Sequence, residues 1–192
     1  MRPRLSLMTL VLGLLLWVRA DAEPATGPPE IGGPVPDFEV TSLEGHRVSL
    51  RAAMGEHKAV VVVFLSTVCP YARYFARHLR ELGEAYGRRG VLFVGIYGNS
   101  WESREEVADD VRQRQFSFAV AKDEGHQVAD RLGAARTPEA FLVDSAGRLR
   151  YRGWVKSKQE SPDLQRALDA VLEGRRVPRA LTKAFGCAID RS

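Results

Sequence analysis

The 192-residue chain contains two cysteines, Cys69 and Cys187. Cys69 sits in the stretch STVCPYARYF, residues 66–75, where the apolar run Ala59–Leu65 gives way to a helical pattern. A thiol at the start of a helix meets the positive end of the helix dipole and unpaired backbone N–H groups, both of which favour the thiolate. Pro70 suits the first helical position, because its missing N–H would have had no intrahelical partner. Arg73 adds a cation nearby, and Ser66 offers a hydroxyl ahead of the thiol. A thiolate so placed attacks a disulfide to give a mixed disulfide, or a peroxide to give a sulfenic acid. A local Cys-x-x-Cys pair would need a second cysteine at position 72, where the chain has Ala72.

Cys187 is therefore the candidate resolving thiol. It follows a 13-residue connector, residues 174–186, which at about 3.3 Å per residue reaches on the order of 40 Å. Gly186 gives local freedom, and Phe185 and Ile189 are apolar enough to dock the tail. A permanent Cys69–Cys187 clamp is the alternative, and it would stabilise the fold by up to about 5 kcal/mol. The four histidines, His46, His57, His78 and His126, are scattered and show no zinc-ligand spacing. A copper site of the Cys-x-x-x-Cys kind would need a cysteine at 73, where Arg73 stands. No cofactor is expected.

The elements that must position Cys69 are legible in the hydrophobic pattern. Asp37–Leu50 reads as two short strands around a turn at Glu44-Gly45. Ala59–Leu65 is apolar without alternation, as in a strand buried on both faces. From Pro70 a helical period runs to Gly87. Val91–Tyr97 is a second buried strand. Ser103–Gln115 is a charged helix, and its Ser103 and Glu106 have capping-box spacing. Phe116–Val120 reads as a strand, Glu124–Gly133 as a short helix, Glu139–Asp144 and Arg148–Trp154 as a hairpin, and Ser161–Gly174 as a closing amphipathic helix. Strands alternating with helices predict an α/β three-layer sandwich: a central mixed sheet flanked by helices, an N-terminal β-hairpin and a cysteine-bearing C-terminal tail.

Residues 1–22 have the basic start, apolar middle and Ala20-x-Ala22 end of a cleavable signal peptide. Export leads to a compartment where disulfides persist, periplasmic or secreted, with no stable membrane insertion after cleavage. Residues 23–36 read as a linker, 37–174 as one domain and 175–192 as the tail. The whole chain carries +4, but residues 1–22 supply half of that. The remaining charge gives no case for a nucleic-acid partner.

In order and spacing, GGPVPDFEV…LEGHRVSL, VVVVFLSTVCPYARY, ARTPEAFLVD and SAGRLRYRG resemble the thioredoxin-like superfamily. More narrowly they resemble exported redoxins of the alkyl hydroperoxide reductase and thiol-specific antioxidant group. The tail TKAFGCAI is similar to the C-terminal cysteine tail of some of them. The resemblance implies a thiol oxidoreductase that uses Cys69 and a thiol reductant, protein or small molecule, and acts on a disulfide or peroxide. It implies a cis Thr137–Pro138 bond facing Cys69, with Thr137 offering its backbone to an extended substrate. There are departures. Val62 replaces the proline of peroxidatic sites, no arginine aligns near Glu139, and Val63 and Phe75 occupy the positions where related reductases place an acid. Three readings stay open: a thiol oxidoreductase, a redox-inactive binding module with a static bridge, and a metal-handling protein.

Overall fold

The computed structural model describes residues 27–156 and 162–192. The leader at 1–22 lies outside the described residues. Among those described, no helix is long and apolar enough to cross a membrane.

The strands β1 (Glu39–Thr41) and β2 (Arg47–Ser49) form the expected hairpin, and α1 (Leu50–Glu56) follows directly. The sequence reading gave no helix here. It starts because the Ser49 side chain accepts the Ala52 N–H and caps the first turn. Next come β3 (Ala59–Leu65), α2 (Pro70–Gly87), β4 (Val91–Tyr97), α3 (Arg104–Arg114) and β5 (Ala119–Lys122). A single 3-10 turn leads into α4 (Gln127–Leu132), followed by β6 (Arg136–Thr137), β7 (Glu139–Asp144), β8 (Leu149–Gly153), α5 (Asp163–Leu172) and β9 (Cys187–Ala188). The capping box at Ser103 and Glu106 forms as the spacing predicts.

The central sheet has the order β5-β4-β3-β7-β8, with β3 parallel to β4 and antiparallel to β7. All seven residues of β3 are buried, which explains its unbroken apolar run. Alternate β3 residues serve different layers. Val61, Val63 and Leu65 pack with α2, α3 and α5, while Val60, Val62 and Phe64 pack with α1 and α4. This is the predicted mixed sheet covered on both faces.

The fifth strand lies further along the chain than expected, at 119–122 rather than 116–120. Phe116 and Phe118 stack on each other with ring centroids 4.7 Å apart. Phe118 also fills the space left by Gly83, where a Cβ would come within 2.7 Å of its ring. Packing thus takes both aromatics out of the strand.

Residues 32–35, read as the end of a linker, are already part of the packed unit. Gly32 N–H donates to Leu149 O at 2.7 Å, Val35 N–H donates to Gly147 O at 2.8 Å, and Val35 is buried. The tail is similarly integrated. Thr182 N–H donates to Arg152 O at 2.9 Å, and the Thr182 hydroxyl meets Tyr151 at 2.9 Å. Phe185 then stacks on Trp154 with centroids 4.0 Å apart, and β9 pairs antiparallel with β6.

Candidate active site

Cys69 is the residue immediately before α2, in extended conformation, with Pro70 beginning the helix. Its carbonyl accepts the Arg73 N–H at 3.0 Å, so the first turn closes over it. The strand-to-helix transition places the sulfur at the carboxyl end of β3. Cys69 is nevertheless completely buried, at 0% exposure.

What covers it is the cis-proline loop and the tail. The Thr137–Pro138 peptide bond is cis. The Cys69 thiol lies 2.9 Å from Thr137 O, to which its protonated form donates. The β6–β9 register sets Thr137 opposite Cys187, bringing the half-buried second thiol to the first. Both cysteines are free thiols here.

The sulfur pair divides its protons unequally. Burial pushes the Cys69 thiol up, but the Thr137 hydroxyl, the backbone N–H groups of Cys187 and Ala72, and the Cys187 thiol together bring it below its ordinary value. The Thr137 hydroxyl is buried and makes no hydrogen bond beside the protonated thiol, so its proton is left available to the sulfur when Cys69 ionises. Cys187 moves the other way. Burial, its hydrogen bond to Cys69 and the negative charge of that sulfur push it up to about 11. The arrangement favours ionisation of Cys69 over Cys187, which keeps its proton beside the other sulfur.

Two of the expected site residues lie elsewhere. The Ser66 hydroxyl turns away to accept from Asn99 Nδ2 at 3.1 Å, so it shapes the loop from behind. Arg73 is exposed on the first turn of α2, and its charge acts on Asp110. Pro70 is exposed at the helix start.

Beneath residues 66–69 lies an ionic cluster absent from the sequence reading, which found no carboxylate suited to the site. Glu102, 1% exposed, accepts from Thr67 N–H at 2.7 Å and from the Thr67 hydroxyl at 3.0 Å. Arg114, on α3, donates to Ser66 O at 2.9 Å and Thr67 O at 3.2 Å, and pairs with Asp110 at 2.8 Å. Tyr97 completes the set by donating to Asp110 at 2.6 Å. Glu139 does similar work on the facing loop. It accepts from Ala135 N–H at 3.0 Å and from Arg152 at 2.8 Å, fixing the approach to Pro138. The capping position of Ser103 hinted that the residue before it, Glu102, ends a loop near the sheet's carboxyl edge, but nothing in the pattern marked it as buried.

A thiol at the amino end of a helix, facing a cis-proline loop on a mixed five-stranded sheet, defines a thioredoxin-like redox scaffold. The chain belongs to the AhpC/TSA family, whose sequence profile matches residues 31–152. It is 29% identical over 142 residues to the thiol-disulfide oxidoreductase ResA of Bacillus thuringiensis subsp. konkukian, covering 74% of this chain and 79% of that protein. It is 27% identical over 164 residues to the thiol:disulfide interchange protein DsbE of Escherichia coli, covering 79% of this chain and 85% of that one. The crystal structure of a hypothetical protein from Sinorhizobium meliloti superposes with a TM-score of 0.78 at 29% identity, over 85% of this chain and 95% of the other. Cys187 lies beyond the segment that the family profile matches.

Proposed function

We propose that the protein is an exported thiol-disulfide oxidoreductase in which Cys69 is the nucleophile and Cys187 resolves it. The observation that carries this reading is the β6–β9 pairing, which brings Cys187 to the one buried thiol whose surroundings favour the thiolate. The Cys69 thiolate attacks one sulfur of a substrate disulfide, and the other sulfur leaves as a thiolate and takes a proton. Cys187 then loses its proton and attacks the Cys69 sulfur of the mixed disulfide. The second substrate thiol departs, and a Cys69–Cys187 bridge remains. The substrate gains two electrons and the protein loses two. A peroxide would follow the same route through a sulfenic acid, with water leaving in the second step. The names of the two curated relatives favour the disulfide. Thr137 and Pro138 line the approach, and Pro70 and the backbone of residues 66–69 set the sulfur's position. Residues 1–22 direct export, and the described residues, 27–156 and 162–192, act as one unit with the tail included.

The test uses Cys187→Ser. With a small disulfide such as oxidised glutathione, wild-type protein should accumulate the internal bridge, and the variant should accumulate a stable Cys69–glutathione adduct. Mass spectrometry distinguishes the two. A variant that turns over at the wild-type rate without such an adduct would remove Cys187 from the mechanism. A wild-type bridge with a reduction potential below about −300 mV would make it structural instead.

A further inference from the structure

Just past β4, the loop at residues 98–100 meets both of the segments that carry the cysteines. Asn99, 4% exposed, is at its centre. Its Nδ2 donates to Ser66 Oγ at 3.1 Å, in the turn that leads from β3 to Cys69. Its Oδ1 accepts the Asp190 N–H at 2.9 Å, a short step beyond Cys187. A backbone N–H can only donate, so Asp190 fixes which way the amide faces and leaves Nδ2 for Ser66. The buried Lys122 donates to Asn99 O at 2.7 Å and holds the backbone in place. Ser100 N–H donates to Asp190 O at 3.2 Å, and Ile189 packs so closely that a Cβ on Gly98 would lie 3.3 Å from it. Ile189 N–H and Arg191 also hold this end of the tail, but at Ala135 O and Ala134 O, on the loop before Thr137. The Asn99 amide joins it to the turn bearing Cys69.

We propose that Asn99 is a positioning residue for the resolving step: it ties the tail to the Cys69 turn, so that Cys187 returns to the Cys69 sulfur once that sulfur has bonded to substrate. This rests on the preceding reading of Cys187 as the resolving thiol. Cys69 is fully enclosed, so a substrate sulfur bonded to it displaces part of its cover. β9 is the part with least to lose, because it pairs over only two residues. It swings away from Thr137 while the ends of its segment stay held, by the stacking of Phe185 on Trp154 and by Asp190 on Asn99. With both ends fixed, Cys187 attacks as an intramolecular group at high effective concentration. In that step Cys187 gives its proton to solvent and its thiolate bonds to the Cys69 sulfur. The bond from Cys69 to the substrate sulfur breaks, and the substrate sulfur leaves with the electron pair and takes a proton. Without the Asn99 amide the chain beyond Cys187 is loose against the Cys69 turn, and the same step waits on a wider search.

The experiment mixes full mature protein, reduced, with oxidised glutathione and samples the reaction by acid quench. Mass spectrometry after blocking of the free thiols separates the dithiol, the Cys69–glutathione adduct and the bridged form, so attack and resolution are timed together. In Asn99→Ala, resolution should slow by at least about tenfold, because misplacing a reacting group by 1 Å can cost on the order of 100-fold. Attack on glutathione should slow by no more than about threefold, since Asn99 does not touch the sulfur, so the adduct accumulates. A resolving rate close to wild type, or attack and resolution slowed equally, would overturn the proposal, because equal slowing is what a merely loosened fold gives. Asp190→Pro tests the same bond from the other side, near the chain end, and serves even if Asn99→Ala does not fold. It removes the N–H that Asn99 accepts, whereas Asp190→Ala keeps it. The proline variant should resolve several-fold more slowly than the alanine variant, and equal rates would count against Asn99. Wild-type protein that forms no Cys69–Cys187 bridge would overturn both this assignment and the function it rests on, whereas a bridge that forms at the same rate without the Asn99 amide would overturn this assignment alone.

Discussion

The residue that sets the chemistry beside Cys69 is Thr137. Its hydroxyl is buried without a hydrogen-bond partner and lowers the cost of charging the sulfur, while its carbonyl receives the protonated form. A hydrogen bond to a charged group contributes roughly 1.5–3 kcal/mol, and each 1.36 kcal/mol is about one pKa unit. Thr137→Val keeps the shape and the carbonyl and loses only the hydroxyl. The Cys69 thiolate, followed by its absorbance near 240 nm against a Cys69→Ser blank, should titrate about one pH unit higher in the variant. The sign follows from the direction of the shift. Removing a donor to the thiolate brings Cys69 back up, so reaction with a disulfide near neutral pH should slow about tenfold and recover as pH rises. An unchanged titration would mean that the hydroxyl does not reach the sulfur. At this scale the sequence was partly legible. Cys69 and Pro70 were marked by their types and order at the strand-to-helix junction, whereas the place of Thr137-Pro138 opposite the thiol came only from the family resemblance. Ser66 and Arg73 were not placed correctly, because a loop's side-chain directions depend on Asn99 and Asp110, which are distant in sequence.

Among the elements, α3 shows why a pattern can hide a site. Its buried residues are Val107, Asp110 and Arg114, a helical face on which two of three members are ionic. A search for apolar spacing reads such a helix as solvated. Its inner face instead holds residues 66–67 through Arg114, and that loop carries the thiol. Arg114→Met should therefore leave Asp110 buried without its cation, at a cost of about 3–5 kcal/mol, seen as a lower urea midpoint. Burial already pushes Asp110 up, against the pull of Tyr97 and Arg114. Without the arginine it rises further, so the deficit should be largest near neutral pH and shrink in acid, where Asp110 takes a proton. A deficit independent of pH would assign the loss to packing rather than to charge. The strands were easier to read. β3, β4 and β7 occur over the predicted residues, since strands buried on both faces leave short apolar runs, rich in β-branched and aromatic residues and bounded by turns. The two-residue strands β6 and β9 were not legible, because their pairing is set by tertiary contact and involves too few residues to leave a period.

At the scale of the whole molecule, the tail links redox state to stability. Residues 175–192 are stitched to β8, to the cis-proline loop and to the loop after β4, and Val177, Ala184 and Ile189 are buried. The sequence marked this segment as a tail bearing Cys187 and offered Phe185 and Ile189 to dock it, but its short apolar clusters follow no helix or strand period that would show how closely it packs. A Cys69–Cys187 bridge closes a loop of on the order of a hundred residues in the unfolded chain, which loop-closure entropy values at up to about 5 kcal/mol. In the folded chain the same two residues are already brought together by the β6–β9 pairing, so bridging there has little more to order. Oxidation should therefore raise the free energy of unfolding by several kcal/mol. Because the steps form a closed cycle, the bridge must be harder to reduce in the folded protein than in the unfolded one by the same amount. At about 30 mV per 1.4 kcal/mol, a gain of about 4 kcal/mol corresponds to roughly 90 mV. Parallel urea unfolding of bridged and reduced protein gives the first quantity, and equilibration with glutathione buffers with and without denaturant gives the second. Equal stability in the two states would show that forming the bridge strains the native tail by as much as it restricts the unfolded chain. The docked position of Cys187 would then have to change on oxidation.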